Sequence, residues 1–376
     1  MVEIRRDIHR HPEIGRNEVR TSALIRKKLE EYGVDAIERP VPTAVVALIH
    51  GARGPGRCVA LRCDIDALPV QEETGLPYTS ENPGIMHACG HDCHIAMLLT
   101  ATRILHDMKE ELCGTVKLAF QPAEEVALGA KSMVEQGALD GVDACFAIHV
   151  WTDVKSGMVS LEAGPRMASA DEFHITVKGR GCHGAQPERG VDAAVVTAAI
   201  INNLQSVVSR EISPMDPAVV TVGTIQAGTR WNVVAENSYM TGTTRCFSNE
   251  VWETFEERME RVIKGTAEAY RAEAELEYLR IVPPTVNDEA VVSIAQKSAV
   301  AVLGENCLAS NPATTGGEDF SYFMQRVPGA IALLGTGNEA CGAVWPNHSG
   351  NFCVDEAQLL KGAMLYAQVA MDFNAQ

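Results

Sequence analysis

The sequence predicts an α/β protein in which a mixed, twisted sheet with helices on both faces is interrupted by an inserted β-α-β-β-α-β domain. Three observations support this prediction. Apolar strand-like runs alternate with helical stretches in the first and last parts of the chain, which is typical of a sheet covered by helices. A different order of elements fills the middle of the chain. The length of 376 residues suits two domains, or one large domain with an insertion.

The outer parts of the chain supply the elements of the larger sheet. Residues 16–33 have the pattern of an amphipathic helix that ends at Gly33, with one face formed by Ser22, Ile25, Leu29 and Tyr32. A hairpin is predicted next, in which TAVVALIH and RCVALR flank the turn GARGPG. Further strands are predicted at 58–63, 115–120, 144–150 and 329–334, and further helices at 92–107, 128–137 and 355–370.

The middle of the chain forms a self-contained pattern. Its segments are the strand EFHITVKG, a helix at 191–209, the strands AVVTVGTIQAG and SYMTGTTRCF, a helix at 250–271 and the strand AELEYLR. This order is that of a ferredoxin-like unit. Because it interrupts the larger sheet, we predict one domain built from residues 1–169 and 282–376 and an inserted domain at 170–281.

Composition excludes several classes of protein. The net charge of −17 argues against a nucleic-acid partner, since such proteins need a basic face. No run approaches the roughly 20 apolar residues that span a membrane, and the charged start MVEIRRDIHRHPE predicts no signal peptide. Eleven cysteines in scattered positions, with no CxxC pair, favour free thiols in a reducing cytosol over disulfides. We therefore expect a cytoplasmic protein without membrane or nucleic-acid partners.

Four short segments concentrate side chains that bind metals. Glu124 and Glu125 follow the strand GTVKLAF, His149 ends the strand ACFAIH, and Cys89 and His91 precede a predicted helix. Ligands of open α/β sheets bind beyond the carboxyl ends of the strands. We therefore expect these segments to converge on one rim; they are MHACGHDCH, QPAEE, AIHVW and PNHSGNF.

The residue types in these segments suit a binuclear metal site. A thiolate, imidazoles and a carboxylate are ligands of zinc and similar divalent ions. Of two adjacent glutamates, one can bind the metal while the other accepts a proton from metal-activated water. Each segment alone has an ordinary structural explanation, because a lone histidine or a Glu-Glu pair is common. Cys89 as a thiol nucleophile stays an alternative, although a thiol hydrolase does not need the glutamate pair.

Longer motifs extend over nearly the whole chain. They are RRDIHRHPE, LRCDIDALPV, MHACGHDCH, FQPAEE, HVW, KGRGCHGAQPERGVDA, TTGGEDFSYF and NHSGNF. With these motifs the chain resembles the hippurate hydrolase and indole-acetyl-amino-acid hydrolase branch of the aminoacylase/carboxypeptidase G metallopeptidases. The resemblance implies a zinc-exopeptidase-like catalytic domain and an inserted lid that dimerises. It also implies hydrolysis of the amide bond of small N-acyl amino acids, with two divalent ions per subunit, which are Zn, Mn, Co or Ni.

The resemblance also assigns roles to individual residues. It implies Glu124 as the general base and five metal ligands, which are Cys89, His91, Glu125, His149 and His348. In the lid, it implies that His183 stabilises the oxyanion, often from the neighbouring subunit, that Asn232 contacts substrate, and that Arg245 holds the substrate carboxylate. Asp64 and Asp66 stand where related branches carry a metal histidine and its aspartate, and we expect them to orient ligand histidines here.

Some positions depart from the family pattern, and other functions stay open. Val126-Ala127-Leu128 replaces glycines after the glutamate pair, and Glu188 follows the lid histidine motif in place of a basic residue. Both changes leave the substrate undetermined. A dipeptidase or carboxypeptidase with the same site is the nearest alternative, and it would prefer substrates with a free amino group. A silent metal- or metabolite-binding dimer would not need Glu124, and a cysteine-nucleophile amidase would keep its activity in chelator.

Overall fold

The computed structural model describes residues 1–375, which divide into two compact units. The larger unit contains residues 1–164, 286–312 and 319 onward, and the inserted unit contains residues 165–285 and 313–318. Among the described residues, no helix combines the length and the apolar character that a membrane crossing requires.

The described residues form fourteen strands and nine α-helices. The strands are β1 (Ala36–Glu38), β2 (Val45–His50), β3 (Cys58–Asp64), β4 (Thr115–Gln121), β5 (Ala144–Lys155), β6 (Val159–Ser160), β7 (Gly164–Met167), β8 (Ala170–Lys178), β9 (Ala218–Ala227), β10 (Asn237–Cys246), β11 (Glu273–Val282), β12 (Thr285–Asn287), β13 (Leu308–Ala309) and β14 (Gly329–Gly337). The helices are α1 (Val2–Arg10), α2 (Val19–Tyr32), α3 (His91–Asp107), α4 (Gly129–Glu135), α5 (Ala193–Ser206), α6 (Asn249–Ala269), α7 (Glu289–Leu303), α8 (Ser321–Arg326) and α9 (Leu359–Asn374).

The larger unit is built on an eight-stranded mixed sheet. Its strand order is β1-β2-β4-β3-β5-β14-β6-β13, and the central strands β4, β3, β5 and β14 run parallel. These four strands are almost continuously buried, as expected for parallel strands that are covered on both faces. The predicted α/β architecture is therefore confirmed.

The predicted hairpin of residues 43–62 is wrong. Strands β2 and β3 are not neighbours, because β4 lies between them and pairs antiparallel with β2 and parallel with β3. The connecting loop does not close a tight turn. It bonds instead to the segment before β4: Gly51 N–H donates to Gly114 O at 2.8 Å, and Arg53 N–H donates to Leu112 O at 3.1 Å. These bonds hold β2 and β3 apart by the width of one strand.

The second helix begins later than the sequence pattern indicates. It ends as expected at Gly33, whose φ of 75° is the left-handed conformation that glycine adopts easily. It starts at Val19 and not at residue 16, because Arg16 has a φ of 73°, which a right-handed helix cannot contain. The segment before the helix therefore forms a turn that is available for other contacts.

The inserted unit contains the six elements that the sequence predicts. Its antiparallel sheet has the order β11-β8-β10-β9, and Phe173, Ile175 and Val177 of β8 are buried while the residues between them are not. This period of two places one sheet face against the apolar sides of α5 and α6. One further segment, 313–318, was assigned by the predicted boundaries to the other domain. It belongs to this unit because Thr314 exchanges backbone bonds with residues 166 and 168.

Candidate metal centre

The turn before α3 presents two of the predicted donors. Gly90 is the N-cap of α3 and has a φ of 86°, and a Cβ atom at this position would lie 2.4 Å from Cγ2 of Val150. Only glycine fits such a close approach with this backbone conformation. The turn places Cys89 and His91 on either side of the glycine, and both are buried.

The first group of donor atoms combines Cys89, His91 and His149, whose ligand atoms all lie within 4.8 Å of one another. Cys89 Sγ lies 3.4 Å from His149 Nε2. Because His149 Nδ1 lies 2.8 Å from Val150 O, that nitrogen carries the proton and Nε2 keeps its lone pair. His149 is not at a strand end as predicted, since β5 continues to Lys155 by pairing with β14.

The second group combines Cys89, Glu125 and His348. His348 Nε2 lies 3.7 Å from Glu125 Oε1, and the same oxygen lies 3.7 Å from His91 Nε2. Glu124 approaches the same imidazole, with Oε2 at 4.0 Å from His91 Nε2. Cys89 belongs to both groups, so its sulfur connects the two sets of donors.

The electrostatics of this cluster fit a cation. Four carboxylates surround the His91 ring at 3.3 to 4.0 Å, namely Asp64, Asp66, Glu124 and Glu125. Two buried atoms that point into the cluster, His91 Nε2 and Glu125 Oε1, have no hydrogen-bond partner. Buried polar atoms normally have a partner, and ligand atoms that face an ion are the exception. The thiol, imidazole and carboxylate donors match zinc and similar divalent ions.

The pKa values reflect the same excess of negative charge. Burial raises the pKa of Glu125, and the charges of Asp66 and Asp64 raise it further, to about 7, although His91 acts to lower it. Burial acts to lower the pKa of His91, but Asp64 and Asp66 raise it well above its usual range. Burial and the charge of Glu125 raise the pKa of the Cys89 thiol. A divalent cation would reverse these shifts, because it favours every deprotonated donor.

The two aspartates hold histidines in place. Asp66 Oδ1 lies 3.3 Å from His91 Nδ1, and Asp64 Oδ1 lies 2.5 Å from His94 Nδ1. His94 is adjacent to the cluster but is not available as a ligand, because its Nε2 accepts the Val150 N–H at 2.9 Å. No role for His94 was predicted from the sequence. Its spacing of one helical turn from His91 is the signal that could have identified it.

The inserted unit brings two of the predicted lid residues together. His183 and Val233 form an isolated antiparallel bridge, and Gly184 N–H donates to Asn232 O at 2.9 Å. A Cβ on Gly184 would lie 2.9 Å from that oxygen, so the glycine permits the contact. His183 is exposed, and Oδ1 of Asn232 is buried without a hydrogen-bond partner.

Arg245 lies elsewhere in the inserted unit, on strand β10. It lines a cleft of about 370 Å³ beside Asp171 and Glu172. Its Nη1 donates to the carbonyl oxygen of Thr244 at 2.8 Å and also to the hydroxyl of Thr243. The role of Arg245 as a carboxylate-binding residue stays a prediction.

Similar proteins have names that agree with this chemistry. The chain is 40% identical to the N-acetylcysteine deacetylase of Bacillus subtilis, over 99% of this chain and 96% of the relative. It is 39% identical to the thermostable carboxypeptidase 1 of Saccharolobus solfataricus, over 100% and 95%. It is also 40% identical to the IAA-amino acid hydrolase ILR1-like 4 of Arabidopsis thaliana, over 98% and 84%.

A solved structure has the same fold. The Bacillus subtilis YXEP protein, a dinuclear metal binding peptidase from the M20 family, superimposes with a TM-score of 0.86 and 36% identity, over 100% of this chain and 97% of that chain. The model of peptidase family M20/M25/M40 matches residues 60–372. The resemblance inferred from the motifs is thereby confirmed, and the chain belongs to peptidase family M20/M25/M40.

Proposed function

We propose that this protein is a metal-dependent amidohydrolase that cleaves the amide bond of small N-acyl amino acids. The convergence of Cys89, His91, Glu125, His149 and His348 on one cluster next to Glu124 carries the proposal. The names of the relatives, an N-acetylcysteine deacetylase and an IAA-amino acid hydrolase, support the substrate class. Membership of a peptidase family supports cleavage of a carbon–nitrogen bond.

The five donors would hold two divalent ions, as the dinuclear relative does. When bound, such ions polarise the amide carbonyl and lower the pKa of water from ~16 towards ~7. The carboxylate of Glu124 then accepts a proton from the attacking water molecule and delivers it to the leaving nitrogen. The carbonyl carbon gains the water oxygen with its remaining proton, the C–N bond breaks, and the products are a carboxylic acid and an amine, which at neutral pH become a carboxylate and an ammonium ion.

Neighbouring residues fix the orientation of the histidine rings that would bind metal. Asp66 fixes the orientation of the His91 ring through Nδ1, which leaves Nε2 directed into the cluster. The backbone carbonyl of Val150 does the same for His149. Glu125 is the ligand and Glu124 the base in this proposal. His183 would donate to the oxyanion, and Asn232 and Arg245 would hold the substrate.

A hydrolysis screen tests this proposal. Purified enzyme reconstituted with Zn, Mn, Co or Ni is assayed on N-acetylcysteine, on hippurate and on dipeptides. Faster cleavage of the N-acyl compounds supports the proposal, whereas a preference for a free amino group favours a dipeptidase or carboxypeptidase, the class of the Saccharolobus relative. Full activity after exhaustive chelation would contradict both and favour a thiol mechanism.

We further propose a cytoplasmic homodimer. All eleven cysteines are free thiols, as in proteins of a reducing compartment. The two edges of the inserted sheet differ: β11 carries alternating glutamates at 273, 275 and 277, which discourage pairing, whereas β9 has no charged residue and exposes Val219 and Ile225. We expect β9 to pair with a second copy. Sedimentation of the Ile225→Lys variant, which should be monomeric, tests this pairing.

A further inference from the structure

The turn that carries Glu124 has a backbone conformation that alanine disfavours. Ala123 and Ala127 have φ values of 55° and 54°, in the left-handed region that non-glycine residues rarely occupy. Ala127 N–H donates to the carbonyl of Glu124 at 2.7 Å, and Leu128 N–H donates to that of Ala123 at 3.2 Å. Such a conformation persists only where the surrounding structure holds it.

A buried carboxylate holds the first of these alanines. Glu18 is 0% exposed, and its Oε1 accepts the N–H of Ala123 at 2.8 Å and that of Arg16 at 3.0 Å. Its Oε2 accepts the hydroxyl of Thr43 at 2.8 Å. A buried charge with these three uncharged donors is costly to keep, and burial accordingly raises the pKa of Glu18.

Glu18 does not cap helix α2 with its side chain. It is the N-cap residue of α2, where a carboxylate normally accepts amides of its own helix, yet it makes no such bond. Glu13 accepts them instead: its two oxygens bind Arg20 N at 3.0 Å and Thr21 N at 2.8 Å. The carboxylate of Glu18 is thereby directed to the turn after β4.

A second buried carboxylate holds the other side of the turn. Asp66 Oδ2 accepts the N–H of Glu125 at 3.1 Å. Glu124 therefore lies between two backbone amides, each fixed by a buried carboxylate. Gly15 lets the segment before α2 approach this closely, because a Cβ there would lie 3.2 Å from Ala123 Cα and 3.1 Å from Asp66 Oδ2.

We propose that Glu18 is a positioning residue for Glu124. By accepting the Ala123 N–H, it fixes the turn and thereby the direction of the Glu124 side chain. This inference rests on the proposed function, in which Glu124 is the general base. The bond of Glu18 to this turn is to the backbone N–H of Ala123, so Glu18 acts on Glu124 through the backbone.

Single substitutions test whether the length or the charge of the Glu18 side chain is required. Glu18→Ala should lower kcat by about 10²-fold, the loss typical of a catalytic group misplaced by roughly 1 Å, with KM and bound metal little changed. Glu18→Asp keeps the charge but withdraws the oxygen from Ala123, so it should lose as much. Glu18→Gln keeps an acceptor at the same reach and should recover most of kcat. Glu13→Ala, which removes only the cap of α2, should lower the melting temperature without lowering kcat.

A double substitution separates positioning from general stability. If Glu18 acts only through Glu124, adding Glu18→Ala to Glu124→Gln should cause no further loss of kcat. Independent losses that multiply would overturn the role of Glu18, and so would a Glu18→Asp variant with full activity. A fully active Glu124→Gln variant would instead overturn the proposed function itself.

Discussion

The side-chain amide of Asn347 donates to the carbonyl oxygen of Cys89 at 3.1 Å and lies 3.8 Å from its Sγ. The next residue, His348, donates its backbone N–H to Ala88 O at 2.8 Å. These two bonds fasten the loop that carries His348 to the turn that carries Cys89, across 258 positions of the sequence. They matter because the His348 side chain is 57% exposed and has little packing to hold it.

Asn347 should therefore control the affinity of one metal ion. We expect Asn347→Ala to weaken the ion that His348 helps to hold by about 10- to 100-fold, the usual cost of losing a residue that orients metal ligands. The other ion should be little affected. Calorimetric titration of the metal-free protein measures both affinities. Asn351→Ala, in the same loop but directed to Glu73, is the matched control, and equal losses in the two variants would contradict this role.

Glu124 should be needed for turnover but not for metal binding. Glu124→Gln preserves the shape of the side chain and removes its ability to accept a proton. We expect kcat to fall by at least the ~10²–10⁴-fold that a general base contributes, while metal analysis still finds two ions. Glu125→Gln should instead lose metal. Unchanged turnover in the Glu124→Gln variant would eliminate the proposed mechanism.

Cys89 should be a metal-bound thiolate in the holoenzyme. An alkylating reagent followed by peptide mass spectrometry should leave Cys89 unlabelled until the metal is removed, because a coordinated sulfur is a poor nucleophile. Cys341, which is exposed, should be labelled in both states and serves as the control. Labelling of Cys89 in metal-loaded protein, or its recovery in a disulfide, would show that the sulfur is not a ligand.

A carboxylate outside the metal cluster should give a pH-dependent contribution to stability. Partial burial acts to raise the pKa of Asp355, but hydrogen bonds from Ser156, Asn338 and Gln358 lower it to about 2. Because the folded-state pKa lies below the ordinary value of about 3.9, this stabilisation is complete above that value. It is lost as the pH falls from there through about 2.

Asp355→Asn removes this contribution. Urea midpoints of the variant and the wild type should differ most at neutral pH, and the difference should shrink as the pH falls below about 4. A difference that stays constant over this range would show that packing, and not the carboxylate charge, accounts for the effect of the substitution.

The sequence predicted the features that depend on local pattern. The strand β8 and the helix end at Gly33 follow from neighbouring residues, and so do the other elements of the inserted unit. The four segments that contain the donors predicted a metal cluster together, although each alone has an ordinary structural explanation. The structure brings these groups within ligand distance of one another.

The incorrect and missed predictions share one cause, which is pairing between segments that are far apart in the sequence. The hairpin of 43–62 failed because β4, more than 50 residues later, inserts between its strands. Glu18 was overlooked because its partner Ala123 lies 105 positions away, and because the predicted helix of residues 16–33 placed it in the first helical turn, where a glutamate is common. The predicted end of β5 at His149 failed because its continuation depends on pairing with β14. None of these contacts can be recognised from the residues that neighbour each position in the sequence.

The last prediction concerns His183. The resemblance implies that this histidine stabilises the oxyanion, often from the neighbouring subunit. Its Nδ1 accepts the Ala185 N–H at 3.0 Å, so the neutral ring carries its proton on Nε2. Because His183 is exposed, that N–H is available to a ligand. His183→Ala should lower kcat without loss of metal or stability, because a donor to the oxyanion acts in the transition state.

Mixing two inactive variants tests whether His183 acts across the dimer. In a heterodimer of His183→Ala and Glu124→Gln subunits, one site has both groups intact if each site takes its histidine from the partner. Random exchange should then restore roughly a quarter of wild-type activity per subunit, since half of the dimers are mixed and each has one complete site. Adding Ile225→Lys to both variants, which should prevent pairing through β9, should abolish the recovery. Mixtures that exchange subunits but stay inactive would place His183 at the site of its own chain. A fully active His183→Ala variant would remove it from the mechanism altogether.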